Sequence, residues 1–217
     1  MPLPKPLRSL TPDRIRDEPR LRAIALGLGL IPPRPMHSSG EAAVLTRLAA
    51  AARRVVELGV YEGSSAVVLL QALSADAELH LVDPFVDASG WALRPGWRAN
   101  PTATRLAVRR ARHGGTTVRW HLARSQDVGR TWSAGPVDLV FIDGDHSAEG
   151  CREDWEVWHG HVSRGGAVAF HDARAGRRDG GGSPGPTAVV DELFRDGPSH
   201  WRIVEEIDTL VVVRRKG

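Results

Sequence analysis

Cysteine and long apolar runs are scarce in this sequence, and both shortages exclude classes of protein. The single cysteine, Cys151, rules out an intramolecular disulfide and suits a reducing compartment. The longest apolar run near the N-terminus, AIALGLGLI at 23–31, is too short to span a bilayer. No charged segment followed by an apolar one opens the chain as a secretion signal would. We therefore expect a cytoplasmic protein with no membrane partner.

A strong excess of one charge is also missing. Lysine occurs only at Lys5 and Lys216, so arginine supplies nearly all of the 29 basic residues, and the formal net charge is only +3. That charge is too small to imply a polyanionic partner. One predicted helix carries a cluster of arginines with no aromatic residues interleaved, namely Arg105, Arg109, Arg110 and Arg112. We expect a solvated helical face there rather than a nucleic-acid interface.

Strand-like and helix-like segments alternate from Ser38 onward. Residues 1–37 are rich in proline and arginine and are predicted to be an N-terminal extension, followed by one domain over 38–217. A helix is predicted to begin at Ser38 or Ser39. The other predicted helices cover 64–73, 101–112, 148–162 and 187–194. The predicted strands cover 55–58, 78–82, 117–122, 137–142, 167–170, 201–205 and 209–214. This alternation predicts an α/β fold whose mostly parallel sheet is covered by helices on both faces.

The last two predicted strands are joined by a tight turn around Ile207 and Asp208. Such a link is too short for a parallel crossover, so this pair is predicted to be antiparallel. Two irregular stretches, 84–100 and 173–186, follow predicted strand ends. The first contains Trp91 and Trp97, which could form an apolar lid or simply pack.

The stretch ELGVYEGSS, residues 57–65, joins the first predicted strand to the following helix. Gly59 and Gly63 let the backbone approach a ligand without a Cβ, and Asp83 ends the second strand 24 residues after Gly59. In open α/β sheets ligands bind beyond the carboxyl ends of the strands, where a carboxylate can accept hydrogen bonds from both hydroxyls of a ribose. An ordinary strand-to-helix turn is the alternative for the glycines alone.

The dinucleotide pattern G-x-G-x-x-G is absent, because Tyr61 stands where its second glycine would be. This disfavours a nicotinamide oxidoreductase and favours a nucleoside that carries no phosphate.

Acidic residues and histidines also follow the fourth and fifth predicted strands. Asp143, Asp145 and His146 come directly after one, and His171 and Asp172 after the other. Neighbouring strands lie about 4.8 Å apart, so carboxylates at their ends can share a cation. Without a positive partner these carboxylates would repel one another.

At this point the chain resembles the class I S-adenosylmethionine-dependent methyltransferases over about residues 38–215. ELGVYEGSS is similar to the family's first motif, LHLVDPF to its second-strand acid motif, and VDLVFIDGDHSAEG with GGAVAFHD to its fourth and fifth strands. The last two resemble a small bacterial subgroup related to O-methyltransferases of sugars, catechols and other natural products. The resemblance implies a Rossmann-like three-layer sandwich with a seven-stranded sheet, the last strand inserted antiparallel between its neighbours.

The resemblance also implies roles for individual residues. For the cofactor S-adenosylmethionine, it implies that the methionine end contacts the first-motif residues and that Asp83 holds the ribose. It places adenine beside Ser125, Gln126 and Asp127, which follow the third predicted strand. A helix cap is the alternative role for Gln126 and Asp127. The implied cofactor-binding residues are Glu57, Gly59, Tyr61, Gly63, Ser64, Asp83, Ser125, Gln126, Asp127 and Asp143.

Two models for the transfer of the acceptor proton stay open. In one, Asp143, His171 and Asp172 bind Mg²⁺ or another divalent cation, and Asp145 or His146 takes the proton. Metal-dependent relatives have acids at these three positions, and the histidine here favours a softer metal. In the other, there is no metal and His146 or His171 is the base. The alternative for Asp145 is that it forms a turn with Gly144. Ser147 is predicted to be the N-cap of the following helix.

O-methylation of a small hydroxylated metabolite is thus the leading hypothesis, with a small-molecule acceptor as partner. An RNA methyltransferase and a non-catalytic S-adenosylmethionine-binding protein are the alternatives. The sequence identifies neither the acceptor nor the oligomeric state, and it leaves a homo-oligomer open.

Overall fold

The computed structural model describes residues 18–85, 99–177, 181–196 and 200–216. The apolar lid that was one hypothesis for Trp91 and Trp97 falls outside these residues. The described strands form one seven-stranded sheet. The strands are β1 (Arg54–Leu58), β2 (Glu78–Val82), β3 (Thr117–His121), β4 (Val137–Ile142), β5 (Val162–Phe170), β6 (Trp201–Ile207) and β7 (Leu210–Arg215).

Seven α-helices occur in the described part of the chain. They are α1 (Pro19–Leu28), α2 (Ser39–Ala50), α3 (Ser64–Ala72), α4 (Pro101–Ala111), α5 (Ser125–Arg130), α6 (Ala148–Trp158) and α7 (Pro184–Val190). A 3₁₀ turn at His159–His161 follows α6, and a π-helical turn at Asp191–Arg195 follows α7. Among the described helices, none combines the length and the apolar character that crossing a bilayer requires.

The strand order is β3-β2-β1-β4-β5-β7-β6. Every neighbouring pair from β3 to β5 is parallel, and β7 is antiparallel to both β5 and β6. The predicted Rossmann-like sheet with one antiparallel strand is therefore confirmed. Because β1 and β4 are neighbours at the centre, their carboxyl ends lie side by side, and the loops that follow them meet there.

The two faces of the sheet pack two separate hydrophobic clusters. Residues of alternate parity on each strand point to opposite faces, so Val55 and Phe141 join the cluster under α2 and α3. Val56 and Ile142 join the cluster under α6 and α7. This arrangement is the three-layer sandwich that buried, continuously apolar parallel strands predict.

Local signals place several helix ends. Ser38 caps α2 through Glu41 N–H, and Glu41 returns a bond to Ser38 N–H, which is a complete capping box. The predicted N-cap at Ser147 is confirmed, because its hydroxyl accepts from Gly150 N–H at 3.0 Å.

The predicted helix over 148–162 was wrong at its end. The helix stops at Trp158, and Val162 opens β5. Val162 continues the helical spacing of Cys151, Trp155 and Trp158 and is buried with them, but it belongs to the sheet.

The described residues before α2 pack against α4. Ala25 and Leu26 of α1, with Ile31, form a third apolar cluster with Ala103 and Ala107 of α4.

Candidate active site

The loop between β1 and α3, residues 59–63, is called here the glycine loop. Gly59 has φ +86°, and a Cβ there would lie 2.1 Å from the backbone oxygen of Asp143. Gly63 has φ +85°, and a Cβ there would lie 2.9 Å from Val108. Only glycine therefore allows the loop to pass this close to the end of β4 and to α4.

Asp83, the predicted ribose ligand, lies directly beside the glycine loop. Its Oδ2 accepts from the N–H groups of Val60 and Tyr61 at 2.8 and 2.9 Å, and its Oδ1 accepts from Phe85 N–H at 2.7 Å. Each carboxylate oxygen has further acceptor capacity, so a ribose role stays a prediction. What the structure adds is that Asp83 also fixes the backbone of the loop.

Glu57 is fully buried beneath the glycine loop. Its Oε1 accepts from the hydroxyl of Ser65, whereas its Oε2 has no hydrogen-bond partner among the described residues. Burial raises the pKa of Glu57 well above its usual value, and the charges of Asp143 and Asp83 raise it further. A buried carboxyl with an unused oxygen fits a site where a polar ligand group completes the hydrogen bonding.

His171 is buried and enclosed by carboxylates. Its Nδ1 lies 3.0 Å from Asp143 Oδ1 and 3.7 Å from Asp172 Oδ1, and its Nε2 lies 3.5 Å from Glu41 Oε2. These contacts are close but lack hydrogen-bond geometry, so neither ring nitrogen has a hydrogen-bond partner among the described residues. Burial lowers the pKa of His171, but the charges of Asp143 and its neighbours outweigh this and raise the pKa to about 11.

His146 lies opposite, between the ends of β4 and β5. Its Nδ1 is 3.0 Å from the carbonyl oxygen of Gly144, and its Nε2 is 3.0 Å from Asp172 Oδ2 and 3.6 Å from Asp143 Oδ1. A carbonyl only accepts, so Nδ1 carries a proton, and a neutral ring would then point the Nε2 lone pair at two carboxylates. Burial lowers the pKa of His146, but these groups raise it above its usual value.

One oxygen of Asp143 and one nitrogen each of His146 and His171 lie within 4.8 Å of one another. The predicted metal ligands were Asp143, His171 and Asp172, so the structure adds His146 to this neighbourhood and keeps Asp172 beside it. A donor set of two imidazoles and a carboxylate suits Mn²⁺, Fe²⁺, Co²⁺ or Zn²⁺ better than Mg²⁺. The unused nitrogens of His171 also fit a bound cation.

Asp145 is not part of this cluster. It is exposed, its Oδ1 accepts from Ser147 N–H at 2.8 Å, and its side chain packs against Gly150 at the start of α6. This is the turn geometry that was the alternative for Asp145. Its assignment as a proton acceptor stays a prediction.

The three predicted adenine contacts lie in the first turn of α5. Ser125 and Gln126 both donate to Oδ1 of Asp154 in α6, the latter at 2.9 Å, whereas Asp127 is exposed, 3.5 Å from Arg130. Asp154 is buried, and burial raises its pKa to about 7. Sequence reasoning did not select Asp154, although its place on the buried side of an otherwise apolar helix face is a signal that could have identified it.

Sequence reasoning also missed Glu41 and Glu62. Glu41 is buried and accepts from the backbone and the hydroxyl of Thr209 at 2.8 and 2.5 Å. Burial opposes its ionisation, but the neighbouring His171 and the hydrogen bonds from Thr209 and Ser38 lower its pKa to about 2. Glu62 lies in the glycine loop and pairs with Arg22. Both contacts join residues far apart in the chain, so no local pattern predicts them.

Strained backbone coincides with two of the predicted site residues. Tyr61 has φ 51° and Asp172 has φ 53°, a left-handed conformation that costs a side-chain-bearing residue about 1–2 kcal/mol. Such strain concentrates at functional sites, where the surroundings hold it in place.

A family model described as a methyltransferase domain matches residues 56–173, from the middle of β1 to just beyond Asp172. The match covers more than half of the chain, and the chain therefore belongs to this family of methyltransferase domains. The resemblance on which the sequence interpretation depended is confirmed at this level.

Solved structures share the fold over nearly the whole chain. The O-methyltransferase TomG from Streptomyces achromogenes is 19% identical, with a TM-score of 0.59, over 93% of this chain and 91% of that one. Cofactor-bound Rv0187 from MTB is 18% identical, with a TM-score of 0.62, over 100% and 99%. An O-methyltransferase from Bacillus cereus is 17% identical, with a TM-score of 0.56, over 90% and 89%. At these identities the likeness shows the fold alone.

Proposed function

We propose that this protein transfers a methyl group from S-adenosylmethionine to a hydroxyl group of a small molecule. The observation that carries the proposal is the cluster of His146, Asp143 and Asp172 at the carboxyl ends of β4 and β5, where the backbone of Asp143 lies against Gly59 of the glycine loop. TomG was crystallised with SAM and the Bacillus cereus enzyme with SAH, which supports the same cofactor here.

The cofactor would lie over the glycine loop. The glycine loop, packed at Gly59 against the end of β4, the unused oxygen of Glu57 and the carboxylate of Asp83 fit a nucleoside that carries an amino-acid group. Tyr61, Ser64 and the α5 residues Ser125, Gln126 and Asp127 complete the proposed contacts. The hydroxyl of Ser64 lies 2.8 Å from His37 Nε2, within hydrogen-bond distance, so the residues before α2 reach the same site.

The reaction itself needs alignment and one proton transfer. A lone pair of the acceptor oxygen attacks the methyl carbon in line with its bond to sulfur. The C–O bond forms, the C–S bond breaks, and its electron pair remains on sulfur as a neutral thioether. The hydroxyl proton passes to a base, and we assign this role to His146, whose imidazole must first be neutral.

A divalent cation, when bound to Asp143, His146 and His171, would polarise the acceptor hydroxyl and lower its pKa. In that case these side chains would hold the cation, His146 through its Nε2, and the carbonyl oxygen of Gly144, 3.0 Å from Nδ1, would orient the imidazole. The nearby Asp145 would then be the remaining candidate for the proton.

Turnover tests the proposal directly. Purified protein is incubated with S-adenosylmethionine and a panel of catechols, other phenols and sugars, with and without Mn²⁺ or Mg²⁺, and S-adenosylhomocysteine is measured by mass spectrometry. We expect product with at least one acceptor and its loss in His146→Ala. Binding of S-adenosylhomocysteine without turnover on any acceptor would favour a non-catalytic binding protein. Absence of binding in calorimetry would contradict the proposal as a whole.

The RNA alternative receives no support from the arginines of α4. Arg110 donates to the backbone oxygens of Leu26 and Gly27, and the guanidinium of Arg105 lies 5.5 Å from the ring centroid of Trp120. These side chains hold neighbouring elements together.

A further inference from the structure

Residues 18–38, called here the N-terminal segment, contact the glycine loop and the first residue of α3. Arg34 Nη1 lies 2.9 Å from the hydroxyl of Tyr61, Arg22 pairs with Glu62, and His37 bonds Ser64. Tyr61 and Ser64 are among the proposed cofactor contacts. The N-terminal segment is therefore in direct contact with the surface on which the cofactor is proposed to lie.

The central contact is a buried ion pair. Arg22 Nε and Nη2 each lie 2.5 Å from one oxygen of Glu62, and the backbone N–H of Arg34 donates to Glu62 Oε2 at 2.7 Å. The side chains of Arg22 and Glu62 are only 8% and 3% exposed. Glu62 is thus held by two separate parts of the N-terminal segment.

Stability alone does not explain this pair. Removing two charges from water is costly, and apolar residues of similar size often serve as well or better. The segment already has apolar contacts, because Ala25 and Leu26 pack on Ala103 and Ala107. What a two-point pair adds is a fixed orientation of the loop residue that carries the carboxylate.

The glycine loop has a conformation that needs fixing. Tyr61 is in the left-handed region, and its N–H is held from one side by Asp83. Its neighbour Glu62 is held from the other side by Arg22 and Arg34.

We propose that Glu62, held by Arg22 and Arg34, is a positioning residue that fixes the glycine loop for the cofactor. Docking of the N-terminal segment and cofactor binding then stabilise each other, since coupling between two sites is reciprocal. This inference rests on the proposed function, and it gives the N-terminal segment a role in cofactor affinity.

The test compares calorimetric Kd values for S-adenosylhomocysteine. The double variant Arg22→Met/Glu62→Leu removes both charges together, so no unpaired charge is left buried. We expect binding about tenfold weaker than in the wild type, with a Tm close to the wild-type value. In turnover, the KM for S-adenosylmethionine should rise more than kcat falls. Glu192→Gln, which breaks the exposed pair with Arg152, is the matched control and should change neither quantity.

Hydrogen exchange supplies a second measurement that a purely structural role would not change. S-adenosylhomocysteine should slow amide exchange in α1 of the wild type and of Glu192→Gln, and have no such effect in the double variant.

Unchanged affinity in a folded double variant would overturn the coupling alone. A wild type that does not bind S-adenosylhomocysteine would overturn the proposed function and the coupling together. If the double variant does not fold, Glu62→Gln with unchanged affinity overturns the coupling, and weakened affinity at wild-type Tm supports it.

Discussion

At the scale of single residues, the two histidines at the ends of β4 and β5 have different surroundings. His171 is 6% exposed and faces three carboxylates, and its pKa of about 11 keeps it protonated near neutral pH in the absence of a cation. The side chain of His146 is 17% exposed and faces Asp143 and Asp172, so its pKa is raised without the same enclosure. His146 is therefore the better candidate to exchange a proton during each turnover.

The pH dependence of turnover follows from this difference. A base acts only when neutral, so kcat is expected to rise with pH through a value above 6.5, the ordinary pKa of histidine. His146→Gln should lower kcat by about a hundredfold or more and remove this rise. The exposed His113→Gln is the control. If kcat of His146→Gln still rises with pH over the same range as in the wild type, His146 is excluded as the base.

Gly59 permits a second test on one residue. Gly59→Ala puts a methyl group 2.1 Å from the Asp143 backbone oxygen, whereas at Gly165, also with positive φ, nothing lies within 4 Å. Both substitutions incur about 1–2 kcal/mol of backbone strain, and only the first adds a clash. Urea denaturation should show the larger loss in Gly59→Ala, together with lost S-adenosylhomocysteine binding. Equal losses in the two variants would contradict the proposed close approach.

At the scale of elements, Asp154 joins α6 to α5. Its pKa is raised from 3.8 to about 7, so between these values the folded protein binds a proton that the unfolded chain has released. Stability from this group is therefore present below pH 4 and is lost as pH rises to 7. Asp154→Asn keeps an acceptor oxygen for Ser125 and Gln126 but cannot ionise.

The free energy of unfolding, measured in urea from pH 4.5 to 7, should fall more steeply in the wild type than in Asp154→Asn. The difference in slope can reach about 1.4 kcal/mol per pH unit. Identical slopes would show that Asp154 ionises normally in the folded protein.

The sequence predicts the elements well where their signals are local. All seven strands were predicted, although β5 begins at Val162 rather than at residue 167, and α2 begins at its predicted cap. The short α5, SQDVGR, has no apolar stripe and contains a glycine, so it was not predicted. Val162 matches the helical spacing of α6 only by coincidence. A 3₁₀ turn follows α6, and Val162, the first residue of β5, packs in the same hydrophobic cluster as that helix.

For the candidate site, motifs identify only those residues that lie beside a strand end. Asp143, His146, His171 and Asp172 are each within a few residues of β4 or β5, and parallel topology brings them together. Glu41 reaches Thr209 across 168 positions of sequence, and nothing at either position predicts the other. The same is true of the pair between Arg22 and Glu62, 40 positions apart.

At the scale of the whole molecule, binding and stability are linked. S-adenosylhomocysteine at a hundred times its Kd should raise the free energy of unfolding by about 2.7 kcal/mol, if it binds only the folded protein. A concentration-dependent rise in Tm measures this. The same concentrations of adenosine and of methionine, added separately, are the controls, and an equal rise with either would show that only part of the cofactor is recognised.

Metal binding depends on residues that the fold brings together at the carboxyl ends of β4 and β5. Metal-stripped protein is expected to bind Mn²⁺ more tightly than Mg²⁺ in calorimetry, because two of the three converging donor atoms are nitrogens. Asp143→Asn should weaken this binding, and the distant Asp138→Asn should not. If neither ion binds, catalysis by histidine alone is favoured.

The position of β7 has a consequence for synthesis on the ribosome. Of the described strands it emerges last, yet it lies between β5 and β6 in the finished sheet. Until then, β5 has an open edge rich in apolar residues, and β6 has no partner among the earlier strands. A nascent chain that stalls before Leu210 is therefore prone to aggregate and a target for chaperones, although all the residues of the proposed active site have already been made.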